Sequence, residues 1–286
     1  YLYTKKFTEM FEMAECSHDC SSCAQNCGER KEPQSFLKPM NKASHIKKVI
    51  GVVSGKGGVG KSLVTCLLAS ACAKAGLKVG VLDADITGPS VPKSFGVSQR
   101  AKQDSEFLLP NITKTGIKVM SINMLLESEE SPVVWRGPVI SGVVEQFWTE
   151  VRWGELDYLF VDMPPGTGDV ALTVFQSLPV DGIVIVSTPQ DLVKMIVNKA
   201  FNMAKLMHIP VLGVVENMSY FVCPDCGKKH ELFGRSKIDE TAGELGIPVL
   251  AKLPIDPKIN RMVDEGRVEE AHLSELDAFV SALEGK

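Results

Sequence analysis

Two kinds of chemistry are spaced along this chain: phosphate binding and thiolate ligation. Gly55, Lys56, Gly57, Gly58, Val59, Gly60, Lys61 and Ser62 follow the apolar run Val49-Ile50-Gly51-Val52-Val53 and precede a helical pattern from Leu63. A glycine, four residues and then Gly-Lys-Ser lets backbone N–H groups converge on phosphate oxygens, while the helix N-terminus adds positive potential. Lys61 then reaches the β and γ phosphates, and the Ser62 hydroxyl is placed to ligate Mg²⁺. A plain glycine-rich turn would account for the glycines but not for Lys61, Ser62 and the strand–loop–helix context together.

Hydrolysis of a nucleoside triphosphate also needs a metal clamp and an oriented water. Asp162 ends the apolar run Tyr158–Val161 and suits the Mg²⁺-holding role; a turn cap is the simpler alternative. Asp85, in the stretch Asp83-Ala84-Asp85-Ile86-Thr87-Gly88-Pro89-Ser90, is the candidate for orienting or activating the water. Its competing reading is an Asx-turn before Gly88-Pro89. Thr87-Gly88-Pro89 and Gly166-Thr167-Gly168 supply hinge-compatible residues near both carboxylates.

The cysteines fall into three groups. Cys16, Cys20, Cys23 and Cys27 form a four-thiolate set within one short segment, suited to a second iron–sulfur cluster or to zinc. A buried helical stripe is the alternative, but Ser17, His18, Asp19, Ser21 and Ser22 would break an apolar seam. Cys223 and Cys226 lie on an insertion, residues 219–233, with Pro224, Gly227 and His230. Two thiolates are half of a four-thiolate site, so a [4Fe–4S] cluster or tetrahedral Zn²⁺ needs a second pair, which a twofold axis would bring. Zinc with His230 as a third ligand, or a C-x-x-C redox couple, are the other readings. Cys66 and Cys72 sit among Leu67, Leu68 and Ala71 and read as core residues, while His45, His208 and His272 have no ligand-spaced partners.

These residues require a scaffold that brings strand ends together. From Lys48 the chain alternates apolar strands with longer helical patterns, the signature of a doubly wound, mostly parallel α/β sheet covered on both faces. Strands are expected at Val49–Ser54, Val79–Leu82, Ile117–Ile122, Tyr158–Val161, Gly182–Ser187, Val211–Val215 and Val249–Leu253. Helices are expected at Leu63–Ala75, Val139–Val151, Val170–Ser177, Leu192–Met207, Lys237–Leu245 and Ser274–Leu283. Ligands of such sheets sit beyond the C-terminal strand ends, so loops starting at Asp83, Asp162, Glu216 and Pro254 should face the phosphate loop. Residues 1–47 read as a cysteine-rich appendage and linker, and 48–286 as the nucleotide domain.

The 286 residues, 44% hydrophobic, suffice for a large core, and no apolar run approaches a membrane span. The stretch from Tyr1 to Met13 mixes Lys5, Lys6, Glu9 and Glu12 with aromatics and lacks the apolar core of a signal peptide. A net charge of −4 gives no general drive towards nucleic acid or anionic lipid, and the acidic Glu275, Asp277 and Glu284 near the C-terminus do not suit membrane capture. A cytosolic setting, with no nucleic-acid or membrane partner, fits this chemistry.

Lys56 is not needed by an ordinary phosphate loop. Its position after the first glycine resembles the deviant Walker A loop of the MinD, ParA and nitrogenase iron-protein ATPases, in which this lysine acts across a dimer interface. Together with Trp135-Arg136-Gly137-Pro138, Asp162–Asp169 and Cys223-Pro224-Asp225-Cys226, the motifs resemble the Mrp/Nbp-type, ApbC-like branch of that group. The resemblance implies a homodimeric P-loop ATPase that hydrolyses ATP slowly, assembles an iron–sulfur cluster at the shared cysteine pairs and passes it to apo-protein clients. It gives Lys56 a catalytic role in trans, makes Asn217 the adenine reader, and places Pro254 and Asp256 along the base. Nbp-type relatives also carry an N-terminal ferredoxin-like cluster, though with wider spacing between the first two cysteines than in Cys16-x₃-Cys20. The rival classes are a MinD/ParA-like positioning ATPase and an ATP-dependent iron–sulfur reductase.

Overall fold

The computed structural model describes residues 37–283 apart from 86, 87, 89, 126–136, 167, 191 and 192, with backbone alone at 137–141, 169, 170 and 193. Cys16, Cys20, Cys23, Cys27 and the Trp135-Arg136 pair lie outside the described residues. Those described belong to one compact unit, Phe36–Lys286.

Strand β1 (Ser44–Val53) lies centrally, hydrogen-bonded in parallel to β7 (Gly154–Asp162) on one side and β8 (Gly182–Ser187) on the other. Beyond β7 come β2 (Val79–Asp83) and β6 (Lys118–Ser121); beyond β8 come β9 (Val211–Val222) and β11 (Val249–Pro254), all parallel. Antiparallel β5 (Asn111–Ile112) closes one edge, and β10 (Lys229–His230) folds back on the far end of β9. β3 (Lys102–Gln103) and β4 (Leu108–Leu109) form a separate ribbon. Every residue of β2 and of β8 is buried, as a strand covered on both faces requires.

The helices pack in two groups. α1 (Lys61–Lys74) contacts α2 (Val91–Phe95) and α8 (Asp277–Leu283), and α2 contacts α7 (Pro257–Asp264). In the other group, α3 (Gly137–Glu150) packs on α4 (Asp169–Ser177), and α5 (Val193–Leu206) on α6 (Ile238–Leu245). Trp148, Trp153, Phe147 and Phe160 are among the largest side chains buried between these layers. Trp153 Nε1 still reaches the Phe147 carbonyl at 3.1 Å, so its one polar atom is satisfied in the core. Among the described residues no helix is long and apolar enough to cross a membrane. Phe279 and Val280 of α8 turn inward to the core.

The bounds of three elements differ from those expected. β1 begins at Ser44, not Val49, because Ser44, His45 and Ile46 find ladder partners on Gly154, Glu155 and Leu156. Lys47 and Lys48 pair with Asp157 and Asp181, which lets a polar stretch be strand without apolar alternation. Upstream, Trp148 Nε1 donates to the Lys38 carbonyl and Asn41 Nδ2 to that of Val151, so residues 38–43 bond to the domain within what read as linker. β9 continues to Val222 through Glu216-Asn217-Met218-Ser219-Tyr220, which read as a loop. The last helix starts at Asp277, after a 3₁₀ turn over Ser274–Leu276.

Candidate functional site

The phosphate loop leaves β1 at Ser54 and enters α1 at Lys61. Gly58 and Gly60 have φ of 80° and 79°, a left-handed backbone that glycine adopts without steric cost. A Cβ on Gly60 would stand 2.3 Å from Asn217 Nδ2, and one on Gly55 would meet the Ile196 backbone oxygen at 2.7 Å. α1 has neither a side-chain N-cap nor an acidic residue in its first turn, so its N-terminal N–H groups stay available to an anion. Beside it the buried Ser54 hydroxyl has no hydrogen-bond partner among the described residues.

The charged groups gather on this loop. Lys61 Nζ, 5% exposed, lies 2.7 Å from Oδ1 of the fully buried Asp162 and 3.5 Å from Oδ2 of Asp85. Ser62 Oγ donates to Asp162 Oδ2 at 2.5 Å, and Thr65 Oγ1 donates to Asp162 Oδ1 at 2.9 Å. The Ser62 and Asp162 oxygens are thus side by side, a hard-oxygen donor set that fits Mg²⁺. The sheet explains the convergence: Asp83 and Asp162 are register partners at the C-terminal ends of β2 and β7, and Val52 of β1 pairs with Asp162. Lys56 is exposed and donates to Gln190 Oε1 at 3.2 Å, outside the lysine–carboxylate cluster.

Asp83 was missed as a site residue from sequence. Its carboxylate accepts from the Asp85 N–H and the Ser121 hydroxyl, both at 3.2 Å. Burial, reinforced by the neighbouring Asp162 charge, pushes its pKa well up, against the pull of Lys61. The available signal was a second aspartate two residues before Asp85 at a strand end.

Asn217 Nδ2 donates to the Val59 carbonyl at 3.0 Å, tying β9 to the loop. A cleft beside α1 is lined by Leu63, Asn217, Pro254, Ile255 and Asp256, which brings together the residues expected around a base. The Asp256 carboxylate is engaged as the N-cap of α7, accepting from Lys258 N at 2.8 Å, so any contact with a base is left to its backbone and neighbours. Met218 has φ 57°, a left-handed conformation that costs a residue with a Cβ about 1 kcal/mol.

The cysteine pair grows from the same strand. β9 and β10 form an antiparallel hairpin closed by Cys223 N to Lys228 O and Gly227 N to Cys223 O, both 2.9 Å. Cys223 is half-buried and Cys226 exposed. N–H groups of Cys226 and Asp225 bond to the Cys223 sulfur, followed by the Cys226 thiol, and draw its pKa down towards thiolate. His230 pairs with Phe221 across the hairpin, and among the described residues no three His, Cys, Asp or Glu side chains assemble a metal site. Val222, Leu232 and Phe233, on the same insertion, are exposed. Cys66 and Cys72 are fully buried, as expected of core residues, and burial pushes the Cys66 thiol well up.

The chain resembles known proteins in both sequence and fold. The family model described as ParA, NUBPL iron-transfer P-loop NTPase, matches residues 45–284. The iron-sulfur cluster carrier protein of Clostridium perfringens is 46% identical, covering 96% of this chain and 99% of its own. That of Methanocaldococcus jannaschii is 47% identical with the same coverage of both chains. A nucleotide-binding protein from Archaeoglobus fulgidus, solved in complex with ADP, superposes with a TM-score of 0.73 at 48% identity, over 82% of this chain and 91% of that one. A chain of the MinC:MinD cell division protein complex of Aquifex aeolicus shares the fold at 21% identity and TM-score 0.60, over 83% of this chain and 94% of that one.

Proposed function

The chain belongs to the NUBPL iron-transfer P-loop NTPase family, and from that premise we propose that it is a homodimeric, ATP-hydrolysing carrier that assembles an iron–sulfur cluster on Cys223 and Cys226 and delivers it to apo-proteins. The observation that carries this reading is the hairpin itself. It presents two thiols, one already drawn towards thiolate, at the end of a strand that also touches the phosphate loop. Two thiolates leave a four-thiolate cluster half-ligated, and a second copy of the hairpin supplies the rest.

At the nucleotide end, the loop N–H groups and the α1 N-terminus receive the phosphates. Lys61 exchanges its bond to Asp162 for one to phosphate. Ser62 and Asp162 would hold Mg²⁺, which neutralises phosphate charge when bound. Asp85, 3.5 Å from Lys61, orients the attacking water. Lys56, exposed and bonded to Gln190, acts on the partner subunit's nucleotide. Asn217, Pro254 and the backbone at Asp256 bound the adenine. Cys16, Cys20, Cys23 and Cys27 hold a second metal centre.

Anaerobic reconstitution with iron and sulfide, read by absorbance and iron and sulfide analysis, tests the proposal on wild type and Cys223→Ser. Wild type should take up a cluster that Cys223→Ser loses in part. Uptake of stoichiometric zinc alone would refute it.

A further inference from the structure

Glu216 has no role in the chemistry above, yet its carboxylate is fully buried. Its Oε2 accepts from Ser219 Oγ at 2.6 Å and its Oε1 from Ser236 Oγ at 2.5 Å. Those serines bracket the cysteine insertion, Ser219 at its start within β9 and Ser236 where the chain returns to α6, whose Ile238 N–H bonds to Ser236 Oγ at 3.1 Å. Among the described residues the carboxylate has these hydroxyl donors and no ion-pair partner. An apolar side chain would fill the position at lower desolvation cost, so a structural plug does not account for a glutamate here.

The next residue, Asn217, is the one bonded to the phosphate-loop carbonyl of Val59. Met218 then takes its left-handed backbone, which folds Ser219 back onto Glu216 instead of letting β9 alternate regularly. Four consecutive residues therefore join the nucleotide loop to both ends of the hairpin. Resting on the reading of Cys223 and Cys226 as the cluster ligands, we propose that Glu216 is the positioning residue that couples them to nucleotide: its carboxylate latches Ser219 and Ser236, so a shift of Asn217 with the phosphate loop moves the base of the cysteine hairpin.

The test needs no iron–sulfur cluster. The full-length, metal-free, reduced protein is alkylated with iodoacetamide, alone or with Mg²⁺ and a non-hydrolysable ATP analogue. The rates at Cys223 and Cys226 are read by peptide mass spectrometry. In wild type the nucleotide should change these rates by at least about five-fold, the lower end of ordinary coupling between sites. Glu216→Ala and the Ser219→Ala/Ser236→Ala double variant should bring the ratio to about one while nucleotide affinity stays within about two-fold. Glu216→Gln, which can bond both hydroxyls, should restore most of it. The double serine variant decides the matter if Glu216→Ala fails to fold. A nucleotide ratio unchanged in the double variant, or absent in wild type, overturns the coupling. Failure of the cluster reading shows separately, as loss of iron and sulfide uptake with the alkylation ratio intact.

Discussion

Replacing Asp162 by Asn separates the two tasks given to that side chain. Its carboxylate accepts from Lys61 Nζ at 2.7 Å and from Ser62 Oγ at 2.5 Å while fully buried. Asparagine keeps the shape and one acceptor but removes the charge. A phosphate oxygen at ordinary hydrogen-bond length from the same Nζ would lie within about 6 Å of Asp162 Oδ1. Like unit charges at that separation repel by about 3 kcal/mol at an effective dielectric constant of about 20. Relaxation reduces this, so Asp162→Asn should bind ADP in EDTA about 10- to 100-fold more tightly than wild type, or about 1.4–2.7 kcal/mol. Mg²⁺ reverses the sign, since the carboxylate then attracts the ion: wild type gains affinity on adding Mg²⁺ and the variant gains little. Titration with a fluorescent ADP analogue, with EDTA or Mg²⁺, measures both. Equal or weaker affinity of the folded variant in EDTA would refute competition for Lys61, and an undiminished Mg²⁺ gain would remove Asp162 from the metal ligands.

Lys56→Ala should leave ADP affinity within about two-fold and lower the steady-state ATPase rate at least ten-fold, a loss typical of removing a charge stabiliser; equal losses in both count against action in trans. Gly60→Ala, at φ 79° and with its new Cβ directed at the Asn217 amide, should cost about 1–2 kcal/mol in urea unfolding and weaken ADP binding; unchanged stability would contradict the loop geometry. Asp157 is held below the usual carboxylate range first by its bond from Lys47 Nζ and then by the Lys78 N–H. Its stabilisation is present above the unfolded-state pKa of about 3.9 and is lost as pH falls through the lower folded-state value. The urea-midpoint difference between wild type and Asp157→Asn should therefore shrink below about pH 4, and a difference constant with pH would refute the assignment.

What could be read from the sequence followed from how directly each residue's type declares its partner. Gly58, Gly60, Lys61 and Ser62 announce an anion because few other settings need left-handed glycines before a lysine. The apolar strands β2 and β8 were legible because both faces are buried. β9 beyond Val215 was not: Glu216, Asn217 and Ser219 look like loop residues until their partners Ser236 and Val59, distant in sequence, are known. The start of β1 was hidden for the same reason, since Lys47 and Lys48 owe their strand positions to Asp157 and Asp181 on other segments. The short helices α2 and α7 carry too few turns for a periodic pattern, although Pro92 and the Asp256 cap with Pro257 were available as start signals. Asp83 was overlooked because its importance lies in register with Asp162, a relation between strands.

The hairpin makes the last prediction a matter of stoichiometry. Its two sulfurs, with no third ligand assembled nearby among the described residues, allow two outcomes once the N-terminal thiols are removed. In the Cys16, Cys20, Cys23 and Cys27 to Ser quadruple variant, a cluster shared by two hairpins gives about two iron atoms per chain, and sedimentation gives a dimer. A metal completed within one chain would instead give about one ion per chain in a monomer. Val222, Leu232 and Phe233, exposed on the insertion that carries the cysteines, favour the first outcome, because a twofold contact there would bury apolar surface that the single chain leaves in water. The same variant should bind ADP as wild type does, since the thiols it lacks lie outside the segment that builds the phosphate loop. A monomer with one ion per chain would refute the shared site even if the nucleotide site behaved as described.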